Sequence, residues 1–350
     1  MQNSILLVYH GEVIPTYVFA NLKYLKKYFK SKDIYFVSDN NYGLNRAARI
    51  GAIPIYHSLE NEELISVKKS MSSDLSFRDG FWWKTSSRVI AVCDIVIKLN
   101  CPVLHLESDV VLFPNFPFEA LDKLDHDLAF PLASENLGVA SLLYLRGSGA
   151  AKNLRKQFIQ ELKKNPLAND MKILGNIAKN HKSEISILPT VPILETPESV
   201  IKPGISNNHH QLISDNYVVF QGCVDGNSYG PYFLGEDPRN TRGYIKLFQL
   251  NYETNINLTG TKISINVKDR KVIYIEKNGQ RYKLYALHVH SKNLLAFNFT
   301  SLRLLLIFRS IQSKYGPRKS FSIIRIRYRY YEVKHKIKLQ VGNLVNRRSI

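Results

Sequence analysis

The first 150 residues alternate short apolar runs with segments of helical period, and this alternation constrains the fold more than any other feature. Ile5–Tyr9 reads as a buried strand, and Ile34–Val37, Ile53–Tyr56, Val103–Leu106, Leu128–Pro131 and Ala140–Leu145 read as further strands. Between them, Thr16–Phe29, a stretch ending near Gly51, Asn61–Ser73, Phe81–Leu99 and Pro117–Leu124 carry helical spacing. Lys26, Lys27 and Lys30 close the first of these helices, where cations favour the exposed carbonyls. Apolar strands of this kind need cover on both faces, and helical crossovers supply it. The expected fold class is therefore α/β: an open, mostly parallel sheet with helices on both faces and ligands beyond the carboxyl ends of its strands. After the first strand stands HGEVIP, with neither a glycine-rich dinucleotide fingerprint nor a P-loop, which argues against a dehydrogenase or a P-loop NTPase. The second half changes character. Pro189 to His210 reads as irregular loop, and Lys262–Val267, Val272–Glu276 and Arg281–Val289 read as antiparallel strands, with a turn at Asn278-Gly279.

The formal net charge is +19, from 48 Lys and Arg against 29 Asp and Glu, and it is unevenly spread. Residues 301–350 hold thirteen of the cations and a single acid, Glu332, so this stretch carries +12 and residues 1–300 only +7. Leu, Ile, Phe and Tyr interleave with the charges in LRLLLIFRSIQ and IIRIRYRYYEVKHKIKL. The mixture is that of a basic amphipathic extension suited to an anionic membrane surface. Tyr328, Tyr330 and Tyr331 offer stacking surfaces, but no nucleic-acid-binding motif accompanies them, and no nucleic acid partner is expected. Cys93, Cys101 and Cys223 are too few for a disulfide scaffold, which suits a reducing compartment. The start of the chain has no basic n-region or apolar h-region. The best candidate for a membrane span, SRVIAVCDIVIKL, is broken by Asp94. A cytoplasmic location is expected, peripheral on the inner face of the plasma membrane.

The segment PVLHLESDVVLFPNF places Glu107 and Asp109 two apart as the chain leaves a strand, so both carboxylates point to one side. Two carboxylates there call for a positive partner, and Mg²⁺ or Mn²⁺ shared with phosphate oxygens is the natural one. Late in the chain, LHVHSK offers His288 and His290 on one strand face and Lys292 beside them. Neutral imidazole is a ligand for a metal such as Mn²⁺, and the ammonium suits a diphosphate. The residues alone do not choose between the two histidines.

With these motifs the chain resembles glycosyltransferases of the GT-A fold, which use nucleotide-diphosphate sugars. The resemblance covers roughly residues 1–300 in outline and is specific at HLESDVVLF, which stands where that class has its DxD motif, and more weakly at HVHSK. It implies a metal held by Glu107, Asp109 and His288 or His290, with Lys292 on the diphosphate. It also implies a basic residue on the helix before the metal strand; Lys84 and Arg88 in FWWKTSSR lie four apart. Asp39, after the second strand, is the candidate for the base or ribose. In the glycine-dense segment FQGCVDGNSYGPYFLGEDPRNTRG, Asp225 and Asp237 stand where the class keeps an acid near the acceptor; either becomes the general base if the reaction inverts configuration. The implied organisation is a GT-A domain over 1–300, with a nucleotide-sugar half (1–150) and an acceptor half (151–300), followed by the extension over 301–350. The implied function is metal-dependent transfer of a sugar to a polysaccharide or glycolipid acceptor at the membrane face. A nucleotidyltransferase and a non-catalytic membrane-binding adaptor are the alternatives.

Overall fold

Every residue of the strand SILLV, Ser4–Val8, is buried, as is every residue of VLHL, Val103–Leu106, so both strands are covered on both faces. They lie side by side in a computed structural model that describes residues 3–70, 80–165, 167–193, 201–202, 207–241, 246–250, 253–265 and 271–315. In chain order the strands are β1 (Ser4–Val8), β2 (Ile34–Ser38), β3 (Ile53–Tyr56), β4 (Val103–Leu106), β5 (Val110–Leu112), β6 (Leu128–Ser134), β7 (Leu137–Gly138), β8 (Leu142–Leu145), β9 (Ile185–Leu188), β10 (Lys262–Ile265), β11 (Ile273–Lys277), β12 (Gln280–Leu284) and β13 (Ala286–His288). The helices are α1 (Thr16–Tyr28), α2 (Asn41–Ile50), α3 (Glu62–Ser70), α4 (Phe81–Leu99), α5 (Phe118–Leu121), α6 (Ser148–Lys164), α7 (Asp170–Asn180), α8 (Asn207–Ile213), α9 (Tyr217–Phe220), α10 (Tyr229–Leu234) and α11 (Phe299–Tyr315).

The central sheet has eight strands in the order β3-β2-β1-β4-β8-β6-β7, with β9 paired to β6. Pairings β3-β2, β2-β1, β1-β4 and β6-β9 are parallel; β4-β8, β8-β6 and β6-β7 are antiparallel. The expected α/β architecture with a mostly parallel sheet is thus the one found. Local chemistry sets the boundaries. The Asn40 side chain accepts from the Gly43 amide to cap α2, and Gly51 at φ 90° ends that helix. Asn169 caps α7 in the same way, through the Lys172 amide. Asn278 and Gly279, at φ 48° and 77°, turn β11 into β12 in the second, three-stranded sheet.

Three expectations change. The segment read as loop from Pro189 to His210 ends in α8, and residues 194–200 and 203–206 of it lie outside the described residues. Pro117–Leu124 contains only the single turn α5, because Asp122 to Leu124 leave the helix. Arg281–Val289 is two strands: β12 ends at Leu284, and β13 leaves for a separate pairing with β5. Helices α6 and α7 and strand β9 were not expected, although Ala151, Leu154, Phe158 and Leu162 form a buried stripe of helical spacing on α6.

Helix α11 runs across the expected boundary at 300 and 301, and packs on the body through buried Leu302 and Leu306. Of the basic extension, Arg309 is itself buried, and desolvation pushes its pKa down to about 10. On the same helix Leu304 and Ile307 are exposed. The rest of the extension, 316–350, and residues 71–73 of the expected third helix lie outside the described residues. Among the described residues no helix is long and apolar enough to cross a membrane.

Candidate metal and diphosphate site

Chain direction puts the acidic triplet at the carboxyl edge of the sheet. Glu107 follows β4 directly, its amide donating to the Ser141 carbonyl, and Val110 donates back to the Glu107 carbonyl to close a turn into β5. From α1, the Asn21 side-chain amide donates to the Ser108 and Val110 carbonyls, and the Tyr24 hydroxyl donates to Leu112. Glu107, Ser108 and Asp109 are all buried. This loop is therefore fixed by backbone and side-chain bonds rather than left to solvent.

The late histidine arrives by strand pairing. β13 runs antiparallel to β5, with Ala286 opposite Leu112, Leu287 opposite Val111 and His288 opposite Val110, and the Val289 amide donates to the Asp109 carbonyl at 2.7 Å. His288 Nε2 then stands 3.2 Å from Glu107 Oε2 and 3.2 Å from Asp109 Oδ2. One oxygen from each carboxylate and one ring nitrogen lie within 4.8 Å of one another. His290 is not in this group. The strand ends at His288, alternation stops, and the His290 ring sits against that of His288 with centroids 3.9 Å apart. Lys292 adopts φ 52°, a left-handed conformation rare outside glycine, and its ammonium donates to Asp109. The same ammonium stands 5.5 Å from the centre of the Tyr17 ring.

Arg88, two turns into α4, donates to Glu107. Lys84, one turn earlier, is exposed, and no contact carries it to the carboxylates. Burial works against the Glu107 carboxylate, but Arg88, His288 and Lys292 outweigh it and hold its pKa below the usual value. Burial pushes the His288 pKa down, with Glu107 and Asp225 opposing, so the ring is neutral near pH 7 and able to offer a bare nitrogen.

The other candidates have different surroundings. Asp39 is exposed at the end of β2, and its Oδ1 accepts from the Gly11 amide at 2.9 Å. Asp225 is 1% exposed, and its carboxylate accepts from four backbone amides: Ser228 and Tyr229 on Oδ1, Gly230 and His288 on Oδ2. That is the bonding of a structural pin between α10 and β13. Asp237 is buried and takes both bonds of the Arg239 fork. Arg239 was missed in the sequence. Its charge is felt at Tyr9 and Tyr17, which also lie in the field of Arg88, so a third cation overlooks the site. It lies in the single 3-10 turn Pro238–Thr241, too short to leave a periodic signal.

A cleft of about 410 Å³, lined by Asp125, His126, Asp127, Asn153 and Glu184 among others, lies elsewhere. Leu128 pairs with Leu145 and Leu145 with Val103, so the start of β6, where that cleft opens, is at the opposite edge of the sheet from Glu107.

No family profile matches the sequence, and no curated protein matches it. Among solved structures, mouse xyloside xylosyltransferase 1 in its apo form superposes with a TM-score of 0.39 at 13% identity, over 61% of this chain and 94% of that one. The galactosyltransferase LgtC, in complex with donor and acceptor sugar analogues, gives 0.38 at 12% identity over 53% of this chain and 73% of that one. A CMP:2-keto-3-deoxy-manno-octonic acid synthetase complexed with CTP gives 0.33 at 10%, over 56% and 94%. Glycosyltransferases thus stand among the solved structures with a partial likeness to this chain. Such scores carry no argument about activity, which rests on the site.

Proposed function

We propose that this protein is a divalent-metal-dependent glycosyltransferase that moves a sugar from a nucleotide-diphosphate donor to a polysaccharide or glycolipid acceptor at the cytoplasmic face of a membrane. The observation that carries this reading is the convergence of Glu107, Asp109 and His288 at the carboxyl edge of β4, with Arg88 and Lys292 against the same carboxylates. Two carboxylate oxygens and a neutral imidazole are a donor set that fits Mn²⁺ or Mg²⁺. When bound, the ion supplies Lewis-acid neutralisation of charge on the leaving diphosphate.

The chain's own residues do the rest. Arg88 presents a planar fork and Lys292 a point charge, and both suit phosphate oxygens as the sugar–phosphate bond breaks. Their placement is fixed beforehand, by α4 in one case and by the left-handed turn at Lys292 in the other, so little reorganisation is needed when charge develops. The four amides on Asp225 keep β13, and hence His288, in register with the acidic loop.

The membrane setting is supported by the +12 carried by residues 301–350 and by exposed Leu294, Leu295, Leu304 and Ile307 around the start of α11. A melting-temperature screen of nucleoside diphosphates with and without Mn²⁺ tests the catalytic part. A nucleoside diphosphate is expected to raise the melting temperature only with the ion, and Asp109→Asn is expected to abolish both that shift and turnover of the nucleotide sugar. Unchanged turnover in the variant overturns the assignment. Sedimentation with anionic vesicles, comparing the full chain with one ending at residue 315, tests the docking; equal binding counts against it.

A further inference from the structure

Helix α6 carries cations in a row. Lys152, Lys156 and Lys163 are exposed, and steps of four and seven residues put them on one face of the helix over about 16 Å. They rim a groove of about 380 Å³ between α3, α4 and α6, above half-buried Ile97 and buried Ile159. Ion pairs brace its wall. Glu63 of α3 accepts from Arg155 of α6 at 2.7 Å, and Arg155 reaches on to Asp94 of α4 at 2.6 Å. The other oxygen of Asp94 stands 3.3 Å from His57 Nε2. Glu63 and Arg155 are thereby committed to each other, and among the described residues no ion pair engages Lys152, Lys156 or Lys163.

The row leads toward the edge that holds Glu107 and Asp109. α4 starts at that carboxyl edge, where Arg88 meets Glu107, and runs down to the start of β4. α6 runs the other way, because it follows β8, which is antiparallel to β4. Lys152 therefore lies toward the amino edge and Lys163 toward the carboxyl edge. The next helix, α7, agrees with this direction. Asp170 in its first turn accepts from the Thr85 hydroxyl at 3.0 Å, less than one turn of α4 from Arg88.

Charge and shape narrow the occupant. A row of ammonium groups calls for an anion, and a row that does not converge on one point calls for an extended one. Lysines are mobile point charges without the fixed fork of arginine, and they suit a chain whose anionic groups vary in spacing. Among the described residues no aromatic ring lines the groove, so nucleic acid bases have no surface to stack on. The two isoleucines are largely covered, too little for the apolar face of a peptide helix. A membrane docked at α11 lies on the other side of the sheet. The crossovers from β1 to β2 and from β3 to β4 run in opposite directions, and right-handed connections then put α1 and α4 on opposite faces. The start of α11 packs on α1, with the Phe297 ring stacked on Tyr17 at 6.2 Å.

We propose that this groove is an exosite for an acidic polysaccharide acceptor, whose uronate carboxylates pair with Lys152, Lys156 and Lys163 while its acceptor end reaches the carboxyl edge. This rests on the glycosyltransferase reading and deepens it by naming the chemical class of the acceptor.

Fluorescence anisotropy on the full chain at low salt tests it, with long polyglucuronate as the probe and dextran, polyglutamate and oligo-dT for comparison. A triple variant, Lys152→Gln with Lys156→Gln and Lys163→Gln, changes exposed side chains only. It is expected to weaken polyglucuronate binding about tenfold, at about two- to threefold for each surface charge pair. A second triple variant of equal net charge, Lys23→Gln with Lys30→Gln and Lys262→Gln, removes exposed lysines elsewhere. It is expected to weaken binding less than about twofold, and uncharged dextran is expected not to bind. Carbodiimide coupling joins a uronate carboxylate to a lysine amine with loss of water, and it is expected to mark Lys152, Lys156 and Lys163 over Lys23 and Lys30. Equal weakening by the two triple variants overturns the proposal, because it marks a general charge effect. Polyglutamate or oligo-dT bound as tightly as polyglucuronate through the same three lysines also overturns it, because the partner is then of another class. If a nucleoside diphosphate with Mn²⁺ raises the melting temperature but polyglucuronate does not bind, the proposal falls alone. If polyglucuronate binds in the groove but no nucleoside diphosphate binds, the acceptor role falls together with the enzymatic reading.

Discussion

Asp225→Asn separates a structural pin from a proton-transfer group. In the parent chain the carboxylate accepts from four backbone amides at 2.7, 2.9, 2.7 and 3.0 Å. An asparagine of the same shape has one oxygen and one NH₂, so two of those amides face a donor. Hydrogen bonds to a charged partner contribute about 1.5–3 kcal/mol each. The expected loss is therefore about 3–6 kcal/mol, a large share of the roughly 5–15 kcal/mol that holds a typical domain together. The side chain is 1% exposed, so water does not replace the lost acceptor. Urea denaturation followed by circular dichroism reads the change directly, as a fall in midpoint at constant slope. Because one of the four donors is the His288 amide, the Mn²⁺-dependent melting shift should weaken as well. A stability change below about 1 kcal/mol combined with lost turnover would refute the reasoning, since a residue that transfers protons without bracing the fold behaves that way.

Three further outcomes follow from the same geometry. Gly230→Ala sets a Cβ into the His288 carbonyl, so overpacking should cost about 1–3 kcal/mol or more, read as a lower urea midpoint. Arg88→Lys replaces a fork by a point charge against Glu107, and calorimetry should show nucleoside diphosphate affinity falling about tenfold or more. His105 is buried with its Nδ1 3.0 Å from the Leu6 carbonyl, and burial, with Arg88 adding, lowers its pKa to about 3. The folded ring thus stays neutral while the unfolded one gains a proton below pH 6.5, so this contribution is complete above 6.5 and falls away as pH drops toward 3. At pH 5 it has cost about 2 kcal/mol, and denaturation at pH 7.5 and pH 5 should show a drop smaller by that amount in His105→Gln.

Most strands were legible because buried parallel strands are written as short apolar runs: Val103–Leu106 has the expected ends, and β1 and β2 differ by one residue; Ile53–Tyr56 also has the expected ends, although as the edge strand it is largely exposed. The acidic triplet was legible because it interrupts such a run at its carboxyl end. What the sequence does not print is which strand pairs with which. The run from Arg281 to Val289 is continuous in composition, yet Tyr285 breaks it: its amide donates to the Cys223 carbonyl while its carbonyl accepts from the Phe113 amide. One residue thus hands the chain from one sheet to another, and no local pattern announces it. The choice between His288 and His290 failed for a related reason, because alternation holds only as far as the strand does. Asp94 was visible as an interruption, but its meaning needed His57 and Arg155, which are 37 and 61 residues away.

Strand β13 joins His288 to Asp109 across 179 positions of sequence. A chain emerging from the ribosome has made the strands of its eight-stranded sheet and its acidic turn well before that partner is synthesised, and the three-ligand group closes only then. Loss of residues 286–292 would therefore take a ligand from the acidic group and, with buried Ala286, Leu287 and Val289, part of the core as well.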